Sequence, residues 1–367
     1  MDWKAVREEF PVCKKFVYLN PAGGSPVSFS AAAEGKRFYD EMLEGGDTYW
    51  DEWLERTEKV RENLSDFIGA EKNEIGLTTN TSTGMNFIAE MLKHEGEVLT
   101  MEDEFPSSTF PWINRGIKLN FVKPTLKGYT VDHIEKHITP GIRVLVSSHV
   151  QYRTGFRQNL MELGEMCKRK GLVFVVNATQ SMGIFEIDVR LCNIDFLIFT
   201  GLKWATAGYG IAGLYINKNM LQKYKLPFAG WRSVEYPENM DNSILEIKNS
   251  ASAIESGCPH FPNIFALGGA LNLFNRIGKK NVEERVLYLN RYLEKKLLEK
   301  GFPVVPPVSE DNRSGILIVR TSDPKPIVEA LFNKNIIVSA RGEGLRISVN
   351  IFNNEEDIEN LWKNCQD

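Results

Sequence analysis

The sequence predicts an α/β protein, with a large domain on a mostly parallel sheet and a smaller α+β domain behind it. Three observations point there. Between Ile75 and Ile216, short apolar runs alternate with helical periodicity, the pattern of a parallel sheet covered on both faces. Two of those runs, one ending at Asn177 and one at Phe199, are apolar throughout, as strands buried on both faces are. Beyond residue 250, short strands and helices follow one another closely. The expected division is an arm over 1–17, the large domain over 18–250 and the small one over 251–367.

Composition agrees. The 367 residues suffice for two such units, and 43% hydrophobic content supports a sizeable core. A net charge of -4 gives no basic footprint for nucleic acid. No apolar run reaches membrane-spanning length, and the start, MDWKAVREEF, lacks a signal-peptide pattern. Five scattered cysteines without a CxxC pair argue for a reducing, cytoplasmic setting and against a zinc site or disulfide framework.

In chain order, Met1–Phe16 reads as an amphipathic helix serving as arm or lid, and Tyr18–Gly24 as a loop. Phe29–Leu43 and Tyr49–Ile68 have helical periodicity, the second with a solvated charged face. Glu74–Thr79 is a strand. The run Asn80–Asn86 then opens a helix reaching about Leu92, and its small hydroxyl residues suit either an anion cradle or plain capping. Glu97–Met101, Lys118–Val122 and Ile142–Ser148 are strands, with a helix at Val131–His137. His149 reads as a buried, hydrogen-bonded histidine, and Leu160–Lys170 as a helix. Ile264–Ile277 and Val282–Lys300 are helices. Pro303–Val308, Gly315–Arg320, Ile336–Ser339 and Leu345–Val349 read as strands, with helices at Pro324–Asn333 and Glu355–Cys365.

The chemistry centres on Asp195–Gly213, DFLIFTGLKWATAGYGIAG. Lys203 stands just past a strand's C-terminal end, where open α/β sheets place ligands. Shielded by Trp204, it could lose its proton and form a Schiff base, although a surface lysine is the competing reading. A second motif narrows the choice. Asn177-Ala178-Thr179-Gln180, with Lys203 in Thr-Gly-Leu-Lys-Trp 23 residues after Gln180, resembles the class V aminotransferase family. These fold-type I enzymes have the aspartate aminotransferase-like fold and use pyridoxal 5'-phosphate (PLP). They include cysteine desulfurases, kynureninases, isopenicillin-epimerase-like proteins and aminotransferases. The resemblance runs from about Tyr18 to the C-terminus.

The resemblance implies a role for each matching residue. Lys203 holds the cofactor as a Schiff base and then shuttles the α-proton. Ser82, Thr83 and Gly84, with Thr200, hold the phosphate. Phe105 stacks on the ring, Gln151 or Tyr152 contacts the ring hydroxyl, and Gln180 contacts the ring oxygen. Arg346 clamps the carboxylate of a small amino acid, and Asn20 lies in the segment over the mouth. Trp231 matches a kynureninase tryptophan that reaches the phosphate across a dimer interface, which implies a homodimer with a shared site.

Some positions depart from the family. Asn177 replaces an aspartate, so the ring nitrogen gains a hydrogen bond without a charge, and a weaker electron sink is expected. Leu202 replaces a polar residue. The segment Ile336–Glu343 lacks the cysteine that desulfurases use, and Cys258 lies in another loop, where a structural role is expected. The implied activity is amino transfer. A kynureninase-like or other lyase, an epimerase, or a low-turnover PLP-binding regulator are the alternatives.

Overall fold

In the computed structural model, which describes residues 1–305, 309–342 and 344–364, the chain opens with helix α1 (Trp3–Glu8) and a 3-10 turn at Pro11–Lys14. A single helix to Phe16 was the expectation. Pro11 disfavours helical backbone at the residue before it, and Phe10 is accordingly extended, at φ -124°. Strand β1 (Val17–Tyr18) leads to helices α2 (Phe29–Gly45) and α3 (Trp50–Ile68). Ser28 caps α2 by accepting from the Ala31 N–H, and Gly69 ends α3 at φ +72°.

The next elements are β2 (Ile75–Thr78), α4 (Thr81–Met91), β3 (Glu97–Met101), α5 (Pro106–Ile113), β4 (Leu119–Val122) and α6 (Val131–Glu135). They are followed by β5 (Ile142–Ser148), α7 (Leu160–Lys170), β6 (Val173–Asn177), β7 (Phe196–Thr200), β8 (Ala212–Ile216) and α8 (Lys218–Lys223). Among the described residues, β2 to β8 form a seven-stranded sheet in the order β2-β8-β7-β6-β5-β3-β4. The sheet is mostly parallel, as expected, but β8 runs antiparallel to both β7 and β2. The link Gly201–Ile211 contains no crossover helix, and without one the chain can only return antiparallel. Helix α5 has no counterpart in the sequence reading. Pro106 at its first position starts it, and Pro111 inside it disguises the periodicity.

Alternation along the strands divides their side chains between two cores. Phe174, Val176, Leu197 and Phe199 enter one, beneath α2, α3, α7 and α9 (Phe261–Ile277). Val173, Val175, Phe196 and Ile198 enter the other, beneath α4 and α5. Strands sealed on both faces leave their ends as the open place.

The chain continues through α10 (Lys279–Glu299), β9 (Ile316–Arg320), α11 (Pro324–Asn333), β10 (Ile336–Ile337), β11 (Ser339–Arg341), β12 (Gly344–Ser348) and α12 (Glu355–Asn364). β11, β12 and β9 form an antiparallel sheet over a third core, which includes Leu289, Leu293, Leu317, Ile347 and, from the other end of the chain, Leu19. β10 pairs in parallel with β1. The expected strand Pro303–Val308 is reduced to a bridge between Val304 and Val319, with residues 306–308 outside the described residues. Glu343 and Cys365, the expected end of the last helix, also lie outside them. No helix among the described residues is long and apolar enough to cross a membrane.

Candidate active site

The loops that leave the carboxyl ends of five strands converge on a cavity of about 340 Å³. Asn80, Thr81 and Ser82 follow β2, Phe105 and Ser107 follow β3, and Tyr152 follows β5. Asn177, Thr179 and Gln180 come from the end of β6, and Thr200, Leu202 and Lys203 from the end of β7. Ser148 at the end of β5, Tyr209 from the loop after β7, Arg341 and Arg346 of the small sheet, and Ala22 and Gly23 complete the lining. Thus Ser82, Phe105, Tyr152, Asn177, Gln180, Thr200, Lys203 and Arg346 meet, across nearly the whole length of the chain.

The Lys203 amine has no hydrogen bond or ion pair among the described residues. Burial, and then the charges of Arg346 and Arg341, push its amine down to about 7. Its Nζ lies 5.6 Å from the centre of the Phe105 ring, which in turn meets Tyr152 edge-on. Arg346 is 2% exposed, with its guanidinium held by the Ser339 hydroxyl at 3.3 Å and the Tyr152 carbonyl at 3.2 Å. No acid pairs with it among the described residues, and burial pulls it down to about 10. A buried guanidinium without an acid is suited to an anion from outside. Gln180 donates to the Ala22 carbonyl at 3.1 Å and accepts from the Trp204 indole at 2.7 Å, fixing the lysine's neighbour against the N-terminal loop. The Thr200 hydroxyl donates to the Ile211 carbonyl at 3.4 Å.

Other expected positions fall elsewhere. At the start of α4 the lining is shifted by two residues, from 82–84 to 80–82. Asn80 caps the helix by accepting from the Thr83 N–H at 2.9 Å, and the Thr83 hydroxyl turns to the same oxygen. The Gly84 N–H is spent on the Asn80 carbonyl. A Cβ on Gly84 would come 2.3 Å from Ile198, so this glycine lets α4 lie close on β7. The first N–H groups of a helix have no partner within it, and Thr81 and Ser82 carry them here. Of the pair Gln151 and Tyr152, Tyr152 lines the cavity. Gln151 is buried, donating to Glu104 at 2.9 Å.

Asn20 is not in the lining. Its side chain packs on Gly23, with Oδ1 buried and unpartnered. Trp231 is 41% exposed and lines a different cavity of its own chain, beside Trp50 and Arg232. His149 is buried as expected, but its Nδ1 has no partner, and burial pulls it down to about 3, keeping the ring neutral. Cys258 is exposed, which departs from the structural role expected of it. No cysteine among the described residues lines the cavity.

Thr81, Ser107, Ser148, Thr179, Tyr209 and Arg341 line the cavity without having been singled out in the sequence. Arg341 had a signal: it shares a strand–turn–strand segment with Arg346. Glu104, beside Phe105, carries no signal of its own in the sequence; the fold buries it next to β5.

An amine without an ion pair among the described residues, poised to lose its proton near neutrality at the carboxyl edge of a parallel sheet, under an aromatic face and beside a helix N-terminus, fits a PLP-dependent enzyme of the α/β type. The comparisons give the family. The aminotransferase class-V family model matches residues 17–361, and the chain belongs to that family. It is 25% identical over 355 residues to an uncharacterized aminotransferase, YcbU, of Bacillus subtilis, with 96% of this chain and 94% of the relative covered. It is 26% identical over 382 residues to a probable cysteine desulfurase of Pyrococcus abyssi, with the same coverage. Among solved structures, the fold is shared with a C-DES variant that has glycine covalently linked to the PLP cofactor. There the TM-score is 0.90 at 22% identity, with 97% of this chain and 98% of that one covered. The chain is therefore a PLP-dependent enzyme, an aminotransferase or a lyase.

Proposed function

We propose that the chain is a homodimeric aminotransferase for a small amino acid, with Lys203 as the proton-moving base and Arg346 as the carboxylate clamp. The observation that carries this reading is Lys203 itself, an unpaired amine in a cavity that holds its pKa at about 7. The donor set fits PLP: among the described residues the buried Arg346 and the N-terminus of α4 both lack an anion, and the Lys203 amine lacks a hydrogen-bond partner.

Bound there, PLP offers an aldehyde to the lysine and a conjugated ring that takes up electrons from the substrate's α-carbon. The residues supply the rest. With its low pKa, the free Nζ of Lys203 accepts the α-proton and returns it at neutral pH. Arg346 offers two N–H groups to the substrate carboxylate and so fixes the α-carbon near Nζ. Phe105 covers one ring face, while Ser82 and the α4 N-terminus take the phosphate. The cavity offers no thiolate to receive sulfur, which favours amino transfer over desulfuration. Trp231, exposed and outside its own chain's cavity, fits a contribution to the partner's site.

The test is the visible spectrum of the protein with PLP, before and after a panel of amino acids. A band that Lys203→Ala removes is expected, and one amino acid should convert it to a pyridoxamine-type spectrum. A band that returns while the amino acid is consumed would mean a lyase or epimerase. A band that responds to nothing would mean a binding protein with little turnover. No band at all would overturn the reading.

A further inference from the structure

Glu104 is a buried acid that the mechanism above does not use. It is 7% exposed and forms no ion pair among the described residues. Its Oε1 accepts from the Ser148 N–H at 2.6 Å and the Gln151 amide at 2.9 Å, and its Oε2 accepts from the Ser148 hydroxyl at 2.5 Å. The Ser108 hydroxyl stands close enough to favour its charge, without completing a hydrogen bond to it. A carboxylate that accepts from a backbone N–H, an amide N–H and a hydroxyl is best satisfied when ionised. Burial works against that charge and raises the carboxyl's pKa. The donors therefore prepare a charge for which the described protein holds no cation.

The same serine leads to the cavity. Ser108 Oγ accepts from Asn177 Nδ2 at 2.9 Å. Asn177 Oδ1 accepts from the Thr179 N–H at 3.0 Å, which leaves one lone pair on a residue lining the cavity. Ser108 thus stands between the Asn177 amide and the Glu104 carboxylate, and Ser148, which donates to Glu104, is paired with Asn177 across β5 and β6. A charge on Glu104 orients the Ser108 hydroxyl and polarises the Asn177 amide, which makes Asn177 Oδ1 a stronger acceptor.

We infer that Glu104, through Ser108 and Asn177, supplies the negative charge that keeps the bound cofactor's pyridine nitrogen protonated. Asn177 makes the contact, and Glu104 is a positioning residue that acts through it. The inference rests on the reading of the cavity as a PLP site. It replaces the expectation that a neutral amide at position 177 leaves a weak electron sink. The pyridinium in turn is the cation that Glu104 lacks.

The experiment uses the full-length protein loaded with PLP that is 15N-labelled at the ring nitrogen, read by NMR at one fixed pH. Glu104→Gln keeps the size and removes the charge; its oxygen can take the Ser148 and Gln151 N–H groups, and its NH2 can donate to the Ser148 hydroxyl, which turns to accept. Ser108→Ala removes the hydroxyl between Asn177 and Glu104 and leaves the three bonds to Glu104. The wild type is expected to give a protonated-nitrogen shift, and both variants a shift toward unprotonated pyridine. Asn177→Asp placed in the Glu104→Gln background should restore the wild-type position. A merely structural acid would not be rescued in this way. An unprotonated signal in the wild type would overturn the inference, as would variants that keep the wild-type signal; the PLP reading would survive either result. A wild type that binds no labelled cofactor removes the PLP reading and the inference with it.

Discussion

Burial gives Lys203 and Arg346 different tasks. The lysine loses its proton near neutrality because its amine is buried and two guanidinium groups add like charge. The arginine keeps its charge, because its protonation is far harder to reverse. The sign of the effect follows. An amine with its pKa lowered to about 7 is reactive above that pH, where an ordinary lysine remains protonated. The rate at which the apoprotein captures PLP should therefore rise through about pH 7 and level off well below pH 10. Arg346→Gln removes the nearer like charge, so this rise should move to higher pH. The same variant should lose roughly 10- to 100-fold in kcat/KM, the scale of one or two charge-assisted hydrogen bonds. Rapid mixing with PLP across a pH series checks the first expectation, and steady-state kinetics the second. Lys203 was legible because a buried strand ends just before it. Its environment was not, because Arg341 and Arg346 reach it only through the fold of the C-terminal unit.

At the level of elements, the start of α4 shows what a sequence pattern leaves open. The run Asn-Thr-Ser-Thr-Gly marks an anion-suited helix start without saying which residue caps it. Once Asn80 is the cap, 80–82 face the cavity and Thr83 and Gly84 turn inward. Asn80→Ala should cost about 1 kcal/mol in unfolding stability, the usual value of a lost N-cap, and should weaken PLP binding. Gly84→Val should cost several-fold more, because its side chain must displace Ile198 from beneath the helix. Denaturant melts separate the two cases. If Gly84→Val proved neutral, the close approach of α4 to β7 would be wrong. The antiparallel β8 was not legible either, since its apolar run looks like its neighbours. Only the length and glycine content of the preceding link distinguish it.

Across the whole molecule, the two ends of the chain hold each other. Arg7 forms a pair with Asp357 at 2.8 Å and donates to the Phe352 carbonyl, while Phe10 packs on Phe352 with ring centres 4.9 Å apart. The Ser348 N–H donates to the Leu19 carbonyl at 2.9 Å, and the Ala22 N–H donates to the Ser348 hydroxyl at 3.2 Å. The assembly prediction belongs at this scale. Lys203→Ala and Trp231→Ala chains, each impaired alone, should regain about one quarter of wild-type activity when unfolded together and refolded. That follows if half of the random dimers carry one site with both residues intact. Recovery of nothing would place Trp231 within its own chain's function and remove the shared site. Of all the expected residues, Trp231 was the least placeable from one chain, because what it touches need not belong to that chain.

The parallel pairing of β1 with β10 also sets an order in time. The loop carrying Ala22 and Gly23 is seated by strands made long after it, and Arg346 arrives with them. A ribosome emits the N-terminal partner first and leaves it waiting while the large sheet folds. A nascent chain can complete its seven strands and present Lys203, yet it has neither clamp nor closed rim. Stable uptake of cofactor and substrate is therefore expected only after β10 to β12 have left the ribosome, and a chain cut before β10 should yield a folded sheet that holds PLP poorly.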